Sequence, residues 1–247
     1  MPRHAREKSQ TGIYHVMLRG IDKRDIFLTD KDYYKFLYYI KQAKEKSGFS
    51  LLAYCLMTNH VHLLLKEGKE ELGDSIRRIA VGYAQYHNRT HGRTGHLFQN
   101  RYQSEPVNDD SYLLAVSRYI HQNPLKAGIV KNITDYKWSS YNQFYSDKET
   151  ILDKELLRKY FSKINDFIKF NGQSSDFQCL EFIKKVRYTD DDLKLIISKI
   201  VEIDKIATLE INARNEVLKR IKSETGASIR QLEKVLGIGR NIIQKAQ

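Results

Sequence analysis

Two apolar runs separated by only two polar residues constrain the fold of this chain most strongly. The runs FSLLAYCLM (49–57) and HVHLLLK (60–66) each have the length of a strand. The two polar residues between them suit the tight connection of an antiparallel hairpin. The sequence therefore predicts a β-hairpin, and side-chain alternation places His60 and His62 on one face of its second strand.

The segments on either side of the hairpin complete a mixed fold. Alternating or helical spacing of apolar residues and the stop signals of glycine and proline delimit these segments. They are predicted, in chain order, as a strand over 12–20, helices over 30–47 and 70–91, an extended segment over 95–107, and a helix over 110–123 that Pro124 ends. The resulting order of strand, helix, strand, strand, helix, strand predicts an α+β fold with a ferredoxin-like antiparallel sheet.

The C-terminal part of the chain reads differently. The sequence divides into three predicted regions: 1–145 as the first domain, 146–189 as a connector with short helices, and 190–247 as a small all-helical domain. The stretch SIRQLEKVLGIGRNIIQKAQ (228–247) predicts two helices around a glycine break, which is the shape of a helix-turn-helix. Arg240 and Asn241 would read duplex DNA from the start of its second helix, although a similar fold can instead bind a protein partner.

The charge of the chain indicates a polyanionic partner. Its 42 Lys plus Arg residues exceed its 30 Asp plus Glu residues and give a formal net charge of +12. Nucleic acid is the leading candidate, and we expect no membrane partner, because no apolar run has the length of a spanning helix and no export signal is evident. Cytoplasmic localisation follows as an expectation. Cys55 and Cys179 predict neither a disulfide framework nor a thiolate metal site.

Four residues are candidates for chemistry. His60 and His62 could hold one metal ion, but one surface and one core histidine would give the same pattern. Tyr119 and Asn123 stand four residues apart and share one helix face, so a phenol and a carboxamide would project together. A phenol with a pKa near ~10 is a poor nucleophile unless a divalent ion polarises its target, and both residues could equally be ordinary helix residues.

Several ordered motifs resemble one known family. AYCLMTNHVHLLL, RTGHLFQNRYQS, YLLAVSRYIHQNPLKAGIV and DYKWSSY are similar to the REP-associated tyrosine transposases, relatives of the single-tyrosine insertion-sequence transposases in the HUH endonuclease superfamily. The resemblance runs from about Gly12 to Tyr141. One departure is Asn100, where members of the family more often have glycine.

The resemblance implies a role for each candidate. His60 and His62 would be the HUH pair that binds Mg²⁺ or Mn²⁺, Asn123 the third protein ligand, and Tyr119 the nucleophile. The tyrosine would attack single-stranded DNA and form a 5′-phosphotyrosine, leaving a 3′-hydroxyl that can reverse the step. The implied partner is single-stranded DNA with a hairpin, with or without flanking duplex DNA, bound by a monomer or a homodimer.

Further residues are candidates for DNA contact. Between residues 77 and 104 the chain has five arginines and no glutamate or aspartate before Glu105, with aromatic residues interspersed. The predicted contacts are Arg19, Arg77, Arg78, Arg93, His96 and Arg101. We predict a structural role for His15 rather than a role as a ligand.

Three functions remain open on the sequence alone. The leading hypothesis is a metal-dependent DNA endonuclease and strand transferase. The second is a DNA-hairpin binding protein without catalysis, and the third is a metal-dependent nuclease that activates water and leaves Tyr119 as a packing residue. A covalent adduct with DNA distinguishes the first from the other two.

Overall fold

The computed structural model describes residues 6–147, 149–174, 179, 188–225 and 227–246. The chain forms two compact units, residues 1–181 (the first unit) and residues 182–247 (the second unit). Among the described residues, no helix is both long enough and apolar enough to cross a membrane.

The first unit contains the predicted antiparallel sheet. Its strands are β1 (Ile13–Arg19), β2 (Ser50–Leu56), β3 (His60–Lys66) and β4 (Gln103–Val107), in the spatial order β2-β3-β1-β4. Each neighbouring pair is antiparallel. Together with the helices that follow β1 and β3, this is the predicted ferredoxin-like topology, and the predicted α+β fold class is confirmed.

Three long helices pack on the sheet: α1 (Asp30–Ser47), α2 (Leu72–Thr90) and α3 (Asp110–Lys126). A reciprocal capping box of Thr29 and Asp32 starts α1, and Gly48 ends it at a φ of 69°. The Asp109 side chain accepts a hydrogen bond from the Tyr112 amide and so caps the start of α3.

The helix α3 runs past Pro124, so the predicted helix end at residue 123 is wrong. The proline removes only its own N–H from the hydrogen-bond ladder, and the next turn still closes. The Ala127 amide donates to the carbonyl of Asn123 at 2.9 Å, and the Ile129 amide donates to that of Pro124 at 3.0 Å. Asn123 therefore lies inside the helix rather than at its terminus.

The residues that follow α3 add a second layer of aromatic packing to the first unit. They form short 3-10 turns at Ile133–Asp135 and Tyr141–Gln143 and the helices α4 (Glu155–Arg158) and α5 (Ile164–Gly172). Phe144 and Phe167 stack with ring centroids 4.3 Å apart inside the core. The sequence predicted a connector over 146–189. Residues 149–174 instead pack into the same core as the sheet, because burial removes their aromatic side chains from water.

The second unit is all helical, as predicted. It consists of α6 (Asp190–Ser198), a 3-10 helix (Ile203–Thr208), α7 (Ile211–Thr225), α8 (Ile229–Leu236) and α9 (Arg240–Lys245). An apolar core of its own includes Leu193, Leu218, Leu232 and Ile243. Gly237, at a φ of 64°, ends α8, and three residues join it to α9. α8 and α9 are thus two helices joined by a short turn, and both the helix-turn-helix and its contact with DNA stay predictions.

Candidate active site

The strand β3 places the two candidate histidines on one face of the sheet. Val61 and Leu63 alternate with them and are fully buried on the opposite face. His62 is buried, whereas His60 at the start of the strand is partly exposed. The two imidazole rings have centroids 5.0 Å apart and stand edge to face. The two histidines that were predicted to share a face therefore lie next to each other.

A third histidine, which the sequence analysis assigned to structure alone, lies against the pair. β1 pairs with β3 so that Met17 is opposite His62, and His15 therefore sits diagonally across from His62 on the same face. The His15 Nε2 and His62 Nδ1 atoms are 2.9 Å apart. We call the surface that carries His15, His60 and His62 the histidine face. The alternation of side chains in HVMLR places His15 on one face of β1. Only the register between β1 and β3 shows that this is the face that carries His62.

Burial favours the neutral form of two imidazoles of the histidine face, His15 and His62. Burial, followed by the nearby His15, His60 and Arg19, lowers the pKa of His62 well below its ordinary value. Burial also lowers the pKa of His15, against the opposing effect of Glu105. A neutral imidazole keeps one nitrogen lone pair, which is the form that binds a metal.

Side chains hold the Nδ1 atom of each candidate ligand. His60 Nδ1 lies 2.6 Å from the side-chain oxygen of Asn59, and His62 Nδ1 lies 2.9 Å from His15. Each ring is thereby oriented through one nitrogen, and Nε2 is the nitrogen by which each would bind a metal. Within the described ranges, no group of three or more His, Cys, Asp and Glu side chains is placed to hold a metal ion.

The helix α3 covers the histidine face and brings the candidate nucleophile to it. The Tyr119 ring meets the His62 ring edge to face at 5.6 Å and the His15 ring at 6.1 Å between centroids. The Lys126 ammonium lies 5.2 Å from the centroid of the same tyrosine ring and adds a positive charge there. Asn123 is buried one helical turn beyond Tyr119. The structure therefore assembles His60, His62 and Tyr119, and it places Asn123 on the helix that carries the tyrosine.

Arg19 ends β1 directly opposite His60, on the same face of the sheet. The backbone next to it is tied to the segment after α2, because the Gln99 amide donates to the Arg19 carbonyl at 2.7 Å and the Ile21 amide donates to that of Leu97 at 2.9 Å. Of the predicted DNA contacts, Arg19 is the one that lies beside the histidine pair.

Three other predicted DNA contacts surround a single cleft of about 370 Å³. Arg77, His96 and Arg101 are exposed residues that line it, together with Arg6. The Arg6 guanidinium stacks on the Tyr102 ring at 3.7 Å. We call this surface the basic cleft. Its apolar wall includes Leu18, whose side chain points away from the histidine face, so the cleft lies against the opposite face of the sheet.

The remaining predicted contacts lie elsewhere. The Arg78 guanidinium is half-buried and bonds Glu70 at 2.7 Å and Ser47 at 3.0 Å, so its charge is already compensated. Arg93 is half-buried in the turn after α2 and is not part of the cleft lining. Arg240 and Asn241 are exposed at the start of α9 in the second unit.

The departure at Asn100 has a simple explanation in the backbone. Asn100 has a φ of 60°, in the left-handed region that glycine adopts most easily. Asparagine is among the side chains that tolerate this region best. The loop geometry that a glycine would provide is therefore kept in this chain.

Comparison with known proteins agrees with this arrangement. Residues 8–123 match the protein family described as "Transposase IS200 like". The chain is 27% identical over 155 residues to a Haemophilus influenzae protein named as a REP-associated tyrosine transposase, and the match covers 58% of this chain and 87% of that protein. The predicted resemblance is confirmed.

One solved structure confirms the fold. A REP-associated tyrosine transposase, solved bound to a REP hairpin, superposes with a TM-score of 0.51 at 18% identity, over 62% of this chain and 94% of that chain. A transposase from Deinococcus radiodurans matches with a TM-score of 0.35 at 16% identity, over 53% of this chain and 98% of that chain, which is too weak a similarity to support a conclusion.

Proposed function

We propose, from the match of residues 8–123 to the family described as "Transposase IS200 like", that this protein cleaves and rejoins single-stranded DNA at hairpin-forming repeats or insertion-element ends. The observation that carries the proposal is the packing of Tyr119 against His62, with His60 on the same strand face. A nucleophile and two potential metal ligands thus meet on one surface.

In the proposed reaction, the Tyr119 hydroxyl oxygen attacks the phosphorus of a DNA phosphodiester. The new bond joins the phenolic oxygen to the 5′-phosphate as the phenol gives up its proton, and the bond to the 3′-oxygen breaks. That oxygen takes up a proton and leaves as a 3′-hydroxyl, so one proton is lost and one is gained. One ester replaces another, so the bond energy is kept and no nucleotide cofactor is required. The 3′-hydroxyl of another strand end can reverse the step and join the strands.

The residues present fit a divalent metal ion, Mg²⁺ or Mn²⁺. The imidazoles of His60 and His62 and the carboxamide oxygen of Asn123 are the donors that would hold it, and burial favours the neutral form of His62 by lowering its pKa. Such an ion, when bound, withdraws charge from the phosphate oxygens and favours attack at phosphorus. The protein's own contribution is to orient both rings through Asn59 and His15 and to bury one side of the site under α3.

The basic cleft and Arg19 would hold the DNA. The solved relative is bound to a REP hairpin, and the charge of this chain suits the same class of partner. Arg77, His96 and Arg101 would contact phosphates on one side of the end of β1, and Arg19 would do so beside the scissile phosphate. Arg78, Arg93, Arg240 and Asn241 stay predicted contacts, with Arg240 and Asn241 serving a flanking duplex.

A labelled hairpin oligonucleotide with a single-stranded flank tests the proposal. With Mn²⁺, the wild-type protein should form a product that stays attached to protein on a denaturing gel, and Tyr119→Phe should abolish it. Tyr38→Phe is the matched control, because Tyr38 is 47% exposed and lies on α1, away from the histidine face. Cleavage without an attached product would favour the water-activating nuclease. Binding without cleavage would favour the hairpin-binding protein.

A further inference from the structure

His15 is neither the nucleophile nor a metal ligand in the proposed reaction, yet its side chain lies between two polar partners. It is 0% exposed in the middle of β1, with its Nε2 atom 2.9 Å from His62 Nδ1. On its other side, the Nδ1 atom of His15 lies 4.0 Å from the Glu105 carboxylate on β4. The three side chains form a row across three adjacent strands, ending at the candidate metal ligand.

The contact between the two imidazoles allows only two arrangements of protons when both rings are neutral. A neutral imidazole has one N–H and one lone pair, so one ring must donate and the other must accept. If His15 donates from Nε2, the proton of His62 must be on its Nε2 atom, and that atom cannot bind a metal. If His62 donates from Nδ1, its Nε2 atom carries a lone pair. The choice of donor therefore decides whether His62 can be a ligand.

Glu105 favours the second arrangement. An ionised carboxylate only accepts hydrogen bonds, so the nearby Nδ1 atom of His15 is more stable with a proton than with a lone pair. That nitrogen has no direct hydrogen-bond partner in the part of the chain that the structure describes, so the carboxylate at 4.0 Å is the charge that acts on it. With the proton on Nδ1, the Nε2 atom of His15 is the acceptor, and His62 must donate to it.

We infer that His15 is a positioning residue that, together with Glu105, holds His62 in the tautomer whose Nε2 atom carries the lone pair. The purpose of that lone pair, metal binding, rests on the proposed function, whereas the tautomer itself does not. A merely structural histidine would pack equally well in either tautomer, so the proton positions separate the two roles.

The first experiment observes the tautomer directly in the metal-free protein. Long-range proton–nitrogen correlation spectra of the ¹⁵N-labelled full chain report which nitrogen of each histidine is protonated. We expect the wild-type protein to show His62 protonated on Nδ1. Glu105→Leu should shift His62 towards a mixture of both tautomers, whereas Glu45→Leu, which removes an exposed carboxylate on α1, should leave it unchanged.

The second experiment measures Mn²⁺ affinity by calorimetry, with circular dichroism to confirm folding. His15→Leu removes the acceptor and should weaken Mn²⁺ binding by roughly tenfold or more, as expected for the loss of a partner that orients a metal-ligating histidine. His15→Gln should recover most of this loss, because the amide can offer its oxygen to His62 and its N–H to Glu105. An equal loss in both variants would overturn the inference.

The two experiments separate this inference from the proposed function. A wild-type spectrum with His62 protonated on Nε2 overturns the inference, even if the protein binds Mn²⁺ and forms the DNA adduct. A spectrum with His62 protonated on Nδ1 and dependent on Glu105 supports it, even if no adduct forms. In that case the proposed function alone would fail.

Discussion

Two pairs of histidines in the first unit offer a direct comparison. His60 and His62 are two residues apart on a strand, and His87 and His91 are four residues apart on a helix, so each spacing places two imidazoles on one face. The rings of the helical pair are the closer, with centroids 4.5 Å apart against 5.0 Å. By spacing and distance alone, the helical pair is as good a candidate for a metal site.

The partners of the two pairs differ, and they separate the roles. His91 Nε2 bonds the buried carboxylate of Asp32 at 2.9 Å, while both nitrogens of His87 are buried without a hydrogen-bond partner among the described residues. Burial by itself raises the pKa of Asp32, but hydrogen bonds from His91 and from the amides of Leu28 and Thr29 lower it below its usual range. His91 therefore ties the end of α2 to the start of α1. The candidate nucleophile separates the two pairs, because Tyr119 packs against His62 on the histidine face.

The largest expected difference between the pairs is in DNA cleavage. His62→Ala should reduce formation of the covalent adduct at least ~100-fold, because it removes one of two imidazole ligands. His87→Ala should leave the adduct yield per folded molecule within about twofold of wild type, because His87 touches no group of the proposed chemistry. Time courses with the hairpin oligonucleotide measure both. Equal losses in two well-folded variants would contradict the distinction between the pairs.

A smaller difference, in Mn²⁺ binding, is expected between two variants of the candidate active site. His60→Ala should abolish Mn²⁺ binding at ordinary concentrations, whereas Asn123→Ala should weaken it, because a neutral carboxamide contributes less than an imidazole. Excess Mn²⁺ should therefore restore part of the adduct in Asn123→Ala only. Titration of Mn²⁺ in the cleavage assay measures this, and loss without rescue in both variants would remove Asn123 from the role of ligand.

Substitutions in the helical pair should change the stability of the first unit. His87→Leu replaces a ring with two unsatisfied buried nitrogens and should stabilise the first unit by about 1 kcal/mol. His91→Leu leaves Asp32 without one of its partners and should destabilise it by about 1–3 kcal/mol. Thermal unfolding should show Tm shifts in opposite directions. Destabilisation by His87→Leu would indicate that this ring has a partner in solution.

The smallest expected effect is a change with pH in the Tm difference between His87→Leu and the wild-type protein. Burial, followed by the charge of His91, lowers the pKa of His87 from 6.5 to about 4. The unfolded chain therefore binds a proton at His87 between pH 6.5 and 4 while the folded chain does not, so this histidine costs stability as the pH falls through that range. The Tm advantage of His87→Leu should grow from pH 7 to pH 4. An advantage that stays constant over this range would show that His87 is protonated equally in both states.

Local sequence patterns were sufficient for the fold class and for placing the candidate residues on shared faces, whereas their roles as nucleophile and ligands came only from the family resemblance. Alternation placed His60 and His62 on one face, and helical spacing placed Tyr119 and Asn123 together. The segment 146–174 was harder, because its core contacts are with residues far away in the chain. His121 on α3, for example, bonds Ser140 and Asn171, each at 3.0 Å, and no periodicity within the segment indicates such contacts.

The sequence by itself determined the elements and their order, because side-chain periodicity, caps and turn residues act over a few neighbouring positions. It also determined the histidine pair, since two residues apart on a strand means one face in any register that keeps the strand. Only the tertiary structure decided that His15 and Glu105 join the histidine face while His91 bonds Asp32 of α1. The reason is that strand register and helix packing are properties of pairs of distant segments, and a shift of one residue in the strand register would exchange the faces.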